Sequence, residues 1–200
     1  MNILFITSDQ QRADCYGFEG RKVKTPHLDR LARDGTRFSA CVTPNLVCQP
    51  TRASILTGLL PGTHGVSDNG IDLPDATGEA GYAGGFTQAG YATGYIGKAH
   101  FKTANTYKPT SSRECRQSPQ PQDWWGPYMG FQHVELMVEG HNTKPPLAPP
   151  YAQHYERWYY ADGVRLEGWD TPRLFLTLRD AARCAAPQGE AVFDPMGEYR

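Results

Sequence analysis

Short apolar runs alternate with helix starts over the first hundred residues, and this alternation restricts the fold more than any other feature. Residues 2–8 are a continuous apolar run with β-branched members, which reads as a strand buried on both faces and ending at Asp9. Thr25-Pro26 is a helix start, threonine as N-cap and proline at the first helical position. Leu28, Leu31 and Ala32 give that helix its apolar stripe, and Gly35 stops it. Residues 36–42 read as a second extended run. Pro50 opens another helix through Ala53, Ile55 and Leu56 to Gly58, which leaves Cys48 just before a helix N-terminus. Residues 78–90 read as a helix weakened by Gly81, Gly84 and Gly85, each ~1 kcal/mol less favourable than alanine. Residues 92–96 follow as a short strand, with Lys98 and His100 just past its end. Strands separated by helices imply βαβ units, hence an α/β fold with a mainly parallel sheet sandwiched by helices. Ligands of such folds bind beyond the carboxyl ends of the strands, where Asp9, Lys98 and His100 all fall.

Charge and cysteine usage narrow the function. Twenty Lys and Arg against 21 Asp and Glu leave a net charge of −1, which offers no field for nucleic acid or anionic lipid. No apolar run approaches the ~20 residues that span a bilayer. The N-terminus lacks the basic patch and long apolar stretch of a secretory signal, so a cytoplasmic location is expected. Five cysteines, Cys15, Cys41, Cys48, Cys115 and Cys184, are odd in number and form no C-x-x-C pair, so each reads as a small buried apolar residue unless its neighbours argue otherwise.

The second half is less regular. Eight of the 16 prolines fall between Pro109 and Pro150, so residues 109–155 read as an irregular excursion between an N-terminal part, 1–108, and a helical continuation with an irregular tail, 156–200. Trp124, Trp125, Tyr128 and Phe131 should anchor this excursion on the core. Residues 154–160 read as a helix with an aromatic face. Thr171-Pro172 resembles a further N-cap, followed by Leu174, Phe175, Leu178, Ala181 and Ala182 at helical spacing, although residues 174–176 fit a strand equally well. His64, His133, His141 and His154 read as structural or exposed, and Asp14, Asp68 and Asp72 as turn or cap residues.

Cys48-Gln49-Pro50-Thr51-Arg52, followed by Leu56-Thr57-Gly58, carries the chemistry. A cysteine at a helix N-terminus with a cation one turn away is suited to being activated or modified. This C-x-P-x-R block with L-T-G resembles the signature of the sulfatase family, whose cysteine is oxidised after synthesis to formylglycine. Three further blocks match in the family's order: the opening residues 2–9; Thr25-Pro26-His27-Leu28-Asp29-Arg30-Leu31-Ala32; and Gly97-Lys98-Ala99-His100-Phe101. A fainter match continues through residues 126–131 and His154-Tyr155, similar to a substrate-side insertion of bacterial members.

The resemblance implies an alkaline-phosphatase-like fold, incomplete at the C-terminus, and a sulfuric ester hydrolase acting on a small-molecule sulfate ester. It implies a divalent cation, Ca²⁺ first with Mg²⁺ or Mn²⁺ as alternatives, held by Asp9, Gln10 and the modified Cys48. Arg52 would steady the nucleophile, Lys98 and His100 would bind the sulfate, and Asn69 would donate to it. A formylglycine-generating maturation enzyme is the implied partner. Gln10 stands where many sulfatases carry a second aspartate, and a similar Asp-Gln pair occurs in phosphonate monoester hydrolases. A phosphonate or phosphodiester hydrolase is therefore the alternative enzyme. Thr51 replaces the usual serine, and Leu59 stands where the family often has arginine. The family's second metal-binding pair and second sulfate-binding lysine have no equivalent before Arg200. The sequence therefore reads as the N-terminal portion of a sulfatase-like domain, inactive at this length, or as a catalytically dead binding module.

Overall fold

The computed structural model describes residues 1–104, 106, 108–116, 118–119, 121, 123–137, 153–155 and 157. The chain divides into two compact units, Met1–Cys41 with Thr171–Arg200, and Val42–Asp170.

In the first unit, a 3-10 turn at Gly17–Glu19 precedes helix α1, Pro26–Asp34. Thr25 and Pro26 start α1 and Gly35 ends it, as the sequence indicates. The Thr25 side chain does not cap the helix backbone, however. Its hydroxyl accepts from the Gly17 N–H (2.9 Å) and donates to Asp29 (2.6 Å), tying the turn to the helix. Leu28 and Leu31 remain exposed, and no residue of α1 is buried. Residues 2–8 form no strand, and Ile3, Leu4, Phe5 and Ile6 are exposed. A strand buried on both faces needs neighbouring strands and covering helices, and the described part of this unit supplies only α1 and the 3-10 turn. Residues 36–42 likewise join no sheet.

The second unit holds the core. Helix α2 spans Cys48–Thr57 and ends at Gly58, whose left-handed φ of 71° lets its N–H reach the Ser54 carbonyl at 2.8 Å. Helix α3, Pro61–His64, follows. His64 folds back on α2: its Nδ1 accepts from the Val66 N–H (3.1 Å), so Nε2 carries the proton toward the Ser54 hydroxyl 2.9 Å away. Burial holds the His64 pKa below the usual imidazole value.

The helix expected at residues 78–90 is instead two, α4 at Asp75–Glu79 and α5 at Tyr82–Gln88. The break falls at Gly81, where a Cβ would lie 2.4 Å from the Leu56 carbonyl oxygen. Close approach of α2 therefore excludes every side chain there. Strand β1, Gly94–Gly97, lies near its expected place. It pairs in parallel with β2, His133–Leu136, in the register Tyr95↔Val134 and Gly97↔Leu136. The sequence reading missed β2, whose four residues include exposed His133 and half-buried Glu135.

Ala53 and Leu56 of α2, Ala83 of α5, and Val134 and Leu136 of β2 enclose one apolar cluster with Phe101, Tyr128, Met129 and Phe131. Burial of each large member contributes ~1.5–3 kcal/mol. Residues 128–131 thus pack in the core, while Trp125 stays 46% exposed and stacks on His133. The turn at 128–131 lies flat on α5 because Gly130, at φ 84°, meets Gly84: a Cβ on Gly130 would sit 2.5 Å from the Gly84 nitrogen. Gly130→Ala is therefore expected to destabilise this unit by about 2–4 kcal/mol, from left-handed strain plus overpacking, read as a lower urea midpoint. A loss below ~0.5 kcal/mol would mean that the turn lifts away from α5 without penalty.

Cys15 and Cys115 are buried, but Cys41 is exposed and Cys48 half-buried. Cys184, His141 and the helical spacing after Thr171 lie outside the described residues, as does most of the helix read at 154–160. Among the described residues no helix is long and apolar enough to cross a membrane.

Candidate active site

Cys48 is the first helical residue of α2, not the residue before it, and extended Val47 is the N-cap. Its position puts the sulfur at the electropositive end of a ten-residue helix. The Lys98 ammonium lies 3.7 Å from the Cys48 Sγ, brought there because β1 ends one residue earlier.

The backbone of Lys98 is fixed from α2 and β1. Its carbonyl accepts from both the Arg52 guanidinium and the Tyr95 hydroxyl, and Arg52 Nη1 also reaches that hydroxyl at 3.4 Å. Burial pushes the Tyr95 phenol up to about 12, so it stays a proton donor throughout the physiological range. Arg52 lies one helical turn from Cys48, as its spacing indicates, and it grips the segment carrying the lysine.

Asn69 sits at the same helix end. Its Oδ1 accepts from the Gln49 N–H at 3.0 Å and so caps an amide beside Cys48. Gln49, fully buried, was missed in the sequence because it occupies an unspecified position of the signature. Its Nε2 donates to the carbonyls of Ile71 (2.7 Å) and Phe101 (3.3 Å), and its Oε1 accepts from Gly70 (2.9 Å). One side chain thus ties the start of α2 to the loop bearing Asn69 and to the segment after Lys98. Asn45, also missed, accepts from the Val47 N–H at 2.8 Å and shapes the approach to Cys48.

His100 stands two residues beyond Lys98 at a left-handed φ of 50°. The next two backbone N–H groups, of Phe101 and Lys102, donate to the buried carboxyl of Glu114. The second unit therefore brings together Cys48, Arg52, Lys98 and Asn69, with His100 two residues beyond Lys98 in the chain. Asp9 and Gln10 belong to the first unit, where both are exposed, in a bend with Gln10 at φ 52°.

Lysine, arginine, amide groups and a helix N-terminus form an anion-accepting set, and a divalent cation needs about six oxygen ligands. Asp9 and Gln10 offer one carboxylate and one amide oxygen. Among the described residues no three His, Cys, Asp or Glu side chains gather as a metal-ligating group. The described residues supply too few oxygens to complete a cation shell by themselves, while the Lys98 ammonium and the electropositive start of α2 favour an anion beside Cys48.

Residues 1–163 match the family model described as Sulfatase. The chain is 40% identical over 157 residues to an ulvan-active sulfatase of Formosa agariphila, covering 67% of this chain and 30% of that protein. It is 37% identical over 102 residues to an N-acetylglucosamine-6-O-sulfatase of Bacteroides thetaiotaomicron, covering 50% of this chain and 18% of that protein. Among solved structures it resembles the phosphonate monoester hydrolase of Agrobacterium radiobacter, with 25% identity and a TM-score of 0.53, covering 78% of this chain and 28% of that one. The fold is that of the alkaline-phosphatase and sulfatase group, and the chain spans less than a third of the length of these relatives.

Proposed function

The chain belongs to the sulfatase family, and from that membership we propose that it carries the nucleophile-bearing part of a sulfuric ester hydrolase site, with Cys48 as the residue that becomes formylglycine. The observation supporting this reading is the Lys98 ammonium 3.7 Å from Cys48 at the start of α2. Once formed and hydrated, an aldehyde at position 48 supplies two hydroxyls on one carbon, one to attack sulfur in line and one whose proton loss frees sulfate and restores the carbonyl.

The chain's own residues do the rest. Lys98 offsets negative charge on the transferred group as a point charge, the electropositive start of α2 favours the same charge, and Asn69 holds that helix end in place by accepting from the Gln49 N–H. Arg52 steadies the lysine's backbone and adds a second cation. His100 supplies a hydrogen bond to the nucleophile or the sulfate. The substrate class is a small-molecule sulfate ester, and a maturation enzyme is the partner that oxidises Cys48. Asp9 and Gln10 are proposed as the chain's contribution to a divalent cation site, Ca²⁺ before Mg²⁺ or Mn²⁺, and no step is assigned to it.

Expression beside a formylglycine-generating enzyme tests the reading directly. The tryptic peptide covering residues 38–52 should lose sulfur and two hydrogens and gain one oxygen, seen by mass spectrometry at position 48. An unaltered thiol under conditions that convert another sulfatase would sink the formylglycine assignment.

Phosphonate or phosphodiester hydrolysis is the second reading, favoured by the Asp9-Gln10 pair and by the likeness to the phosphonate monoester hydrolase over 78% of this chain. Protection of Cys48 from iodoacetamide separates the two. Inorganic sulfate should protect at lower concentration than methylphosphonate, and the reverse order would favour the phosphonate enzyme.

A further inference from the structure

Glu114 lies in the stretch that the sequence presents as a proline-rich excursion, yet its side chain is fully buried. Its Oε1 accepts from the backbone N–H groups of Phe101 (2.9 Å) and Lys102 (3.2 Å) and from the Tyr128 hydroxyl (2.7 Å). Two successive amides therefore converge on one side-chain oxygen, as in a turn that cradles an anion. That turn includes His100 at φ 50°, a conformation that side chains rarely adopt and that persists only where its surroundings impose it.

Glu114 is itself held firmly. Its N–H donates to the Ser112 hydroxyl (3.2 Å), and its carbonyl accepts from the buried Gln153 amide (3.0 Å). The turn after β1 is thus gripped at both ends, with Arg52 and Tyr95 on the Lys98 carbonyl and Glu114 on the amides of Phe101 and Lys102.

We propose that Glu114 is a positioning residue for the anion site: it holds the left-handed turn that aims Lys98 at Cys48, acting through the backbone and not on the anion itself. The inference builds on the reading of Cys48 and Lys98 as an anion-handling pair. The amides need an acceptor oxygen at this point, and a formal charge is not required. Glutamine should therefore replace glutamate where leucine, of similar size, should not.

Amide hydrogen exchange on the whole chain tests this. Glu114→Leu should speed exchange at Phe101 and Lys102 by about tenfold or more, while α2 and β1 keep wild-type rates, and Glu114→Gln should restore protection to within about threefold. Unchanged exchange in Glu114→Leu, or a uniform rise that includes α2 and β1, would overturn the proposal. Should Glu114→Leu not fold, the wild type decides. These two amides lie in no helix or strand, so exchange at unprotected rates would refute the anchor.

Calorimetric titration with inorganic sulfate supplies the second arm. Affinity should fall about tenfold in Glu114→Leu and be kept in Glu114→Gln. Equal affinity beside faster exchange would break the link to Lys98. A wild type that binds no sulfate would instead defeat the reading of the Cys48 site, while the exchange result still judges the role of Glu114.

Discussion

Replacing Gln49 by leucine is expected to destabilise the second unit by about 3–5 kcal/mol, more than a hundredfold in the folding equilibrium. Leucine matches glutamine closely in volume, so packing changes little and hydrogen bonding carries the effect. The substitution strips partners from the Ile71 and Phe101 carbonyls and from the Gly70 N–H. A buried group left without its partner costs ~1–3 kcal/mol, and these three lie around a side chain with no solvent exposure. Urea unfolding would show a lower midpoint at unchanged slope. A loss near 1 kcal/mol or less would indicate that water enters and substitutes for the amide. The residue also bears on chemistry, because it joins the helix end carrying Cys48 to the loop carrying Asn69.

The second large effect is a pH dependence traced to Glu114. Burial raises its carboxyl to about 7 from an ordinary 4.5, against the opposing hydrogen bonds from Tyr128 and from the amides of Phe101 and Lys102. A raised folded-state pKa means the native chain holds a proton that the unfolded chain has released. The contribution is therefore fully present below about pH 4.5 and is lost as pH rises through 7, a swing of about 3 kcal/mol at ~1.4 kcal/mol per pKa unit. Burial depresses His64 and His154 instead, so their contributions are present above the ordinary imidazole value and fade as pH falls below it. The two trends oppose each other between pH 4.5 and 7, so the measurement is a difference. Stability of the wild type minus that of Glu114→Gln should fall by about 3 kcal/mol across that window, with the histidines cancelling. A flat difference would mean that Glu114 titrates normally. Tyr95 and Tyr128, the other ionisable groups coupled to it, stay protonated there because burial raises both.

Local signals in the sequence predicted what local chemistry decides. Thr25-Pro26 and Gly35 bound α1, Gly58 ends α2, and the place of Lys98 after β1 follows from a short strand closed by Gly97. Lys98 lies 3.7 Å from Cys48 and Arg52 holds the Lys98 carbonyl, although the helix begins two residues before Pro50, since proline is tolerated anywhere in a first turn that lacks intrahelical N–H partners. What could not be read depends on distant neighbours. Residues 2–8 have strand composition but no ladder. Gly81 breaks a helix because the end of α2 presses on it. β2 carries His133 and Glu135 at positions that face away from the core, so its apolar content is too small to announce a strand. Gln49 and Glu114 were invisible for a related reason. A buried polar residue looks like any surface residue until the backbone groups it satisfies, twenty to fifty positions away for Gln49, are known.

The double grip on the Lys98 carbonyl has one more consequence. It immobilises the root of the side chain and leaves four methylenes to move the tip, so the ammonium behaves as a charge on a short pivoting arm. A tetrahedral group displaced in line turns inside out as it passes from one oxygen to another, and its peripheral oxygens sweep through space. A swinging cation can follow that umbrella motion from start to finish. A rigid planar fork aimed at one end of the path would lose its alignment at the other.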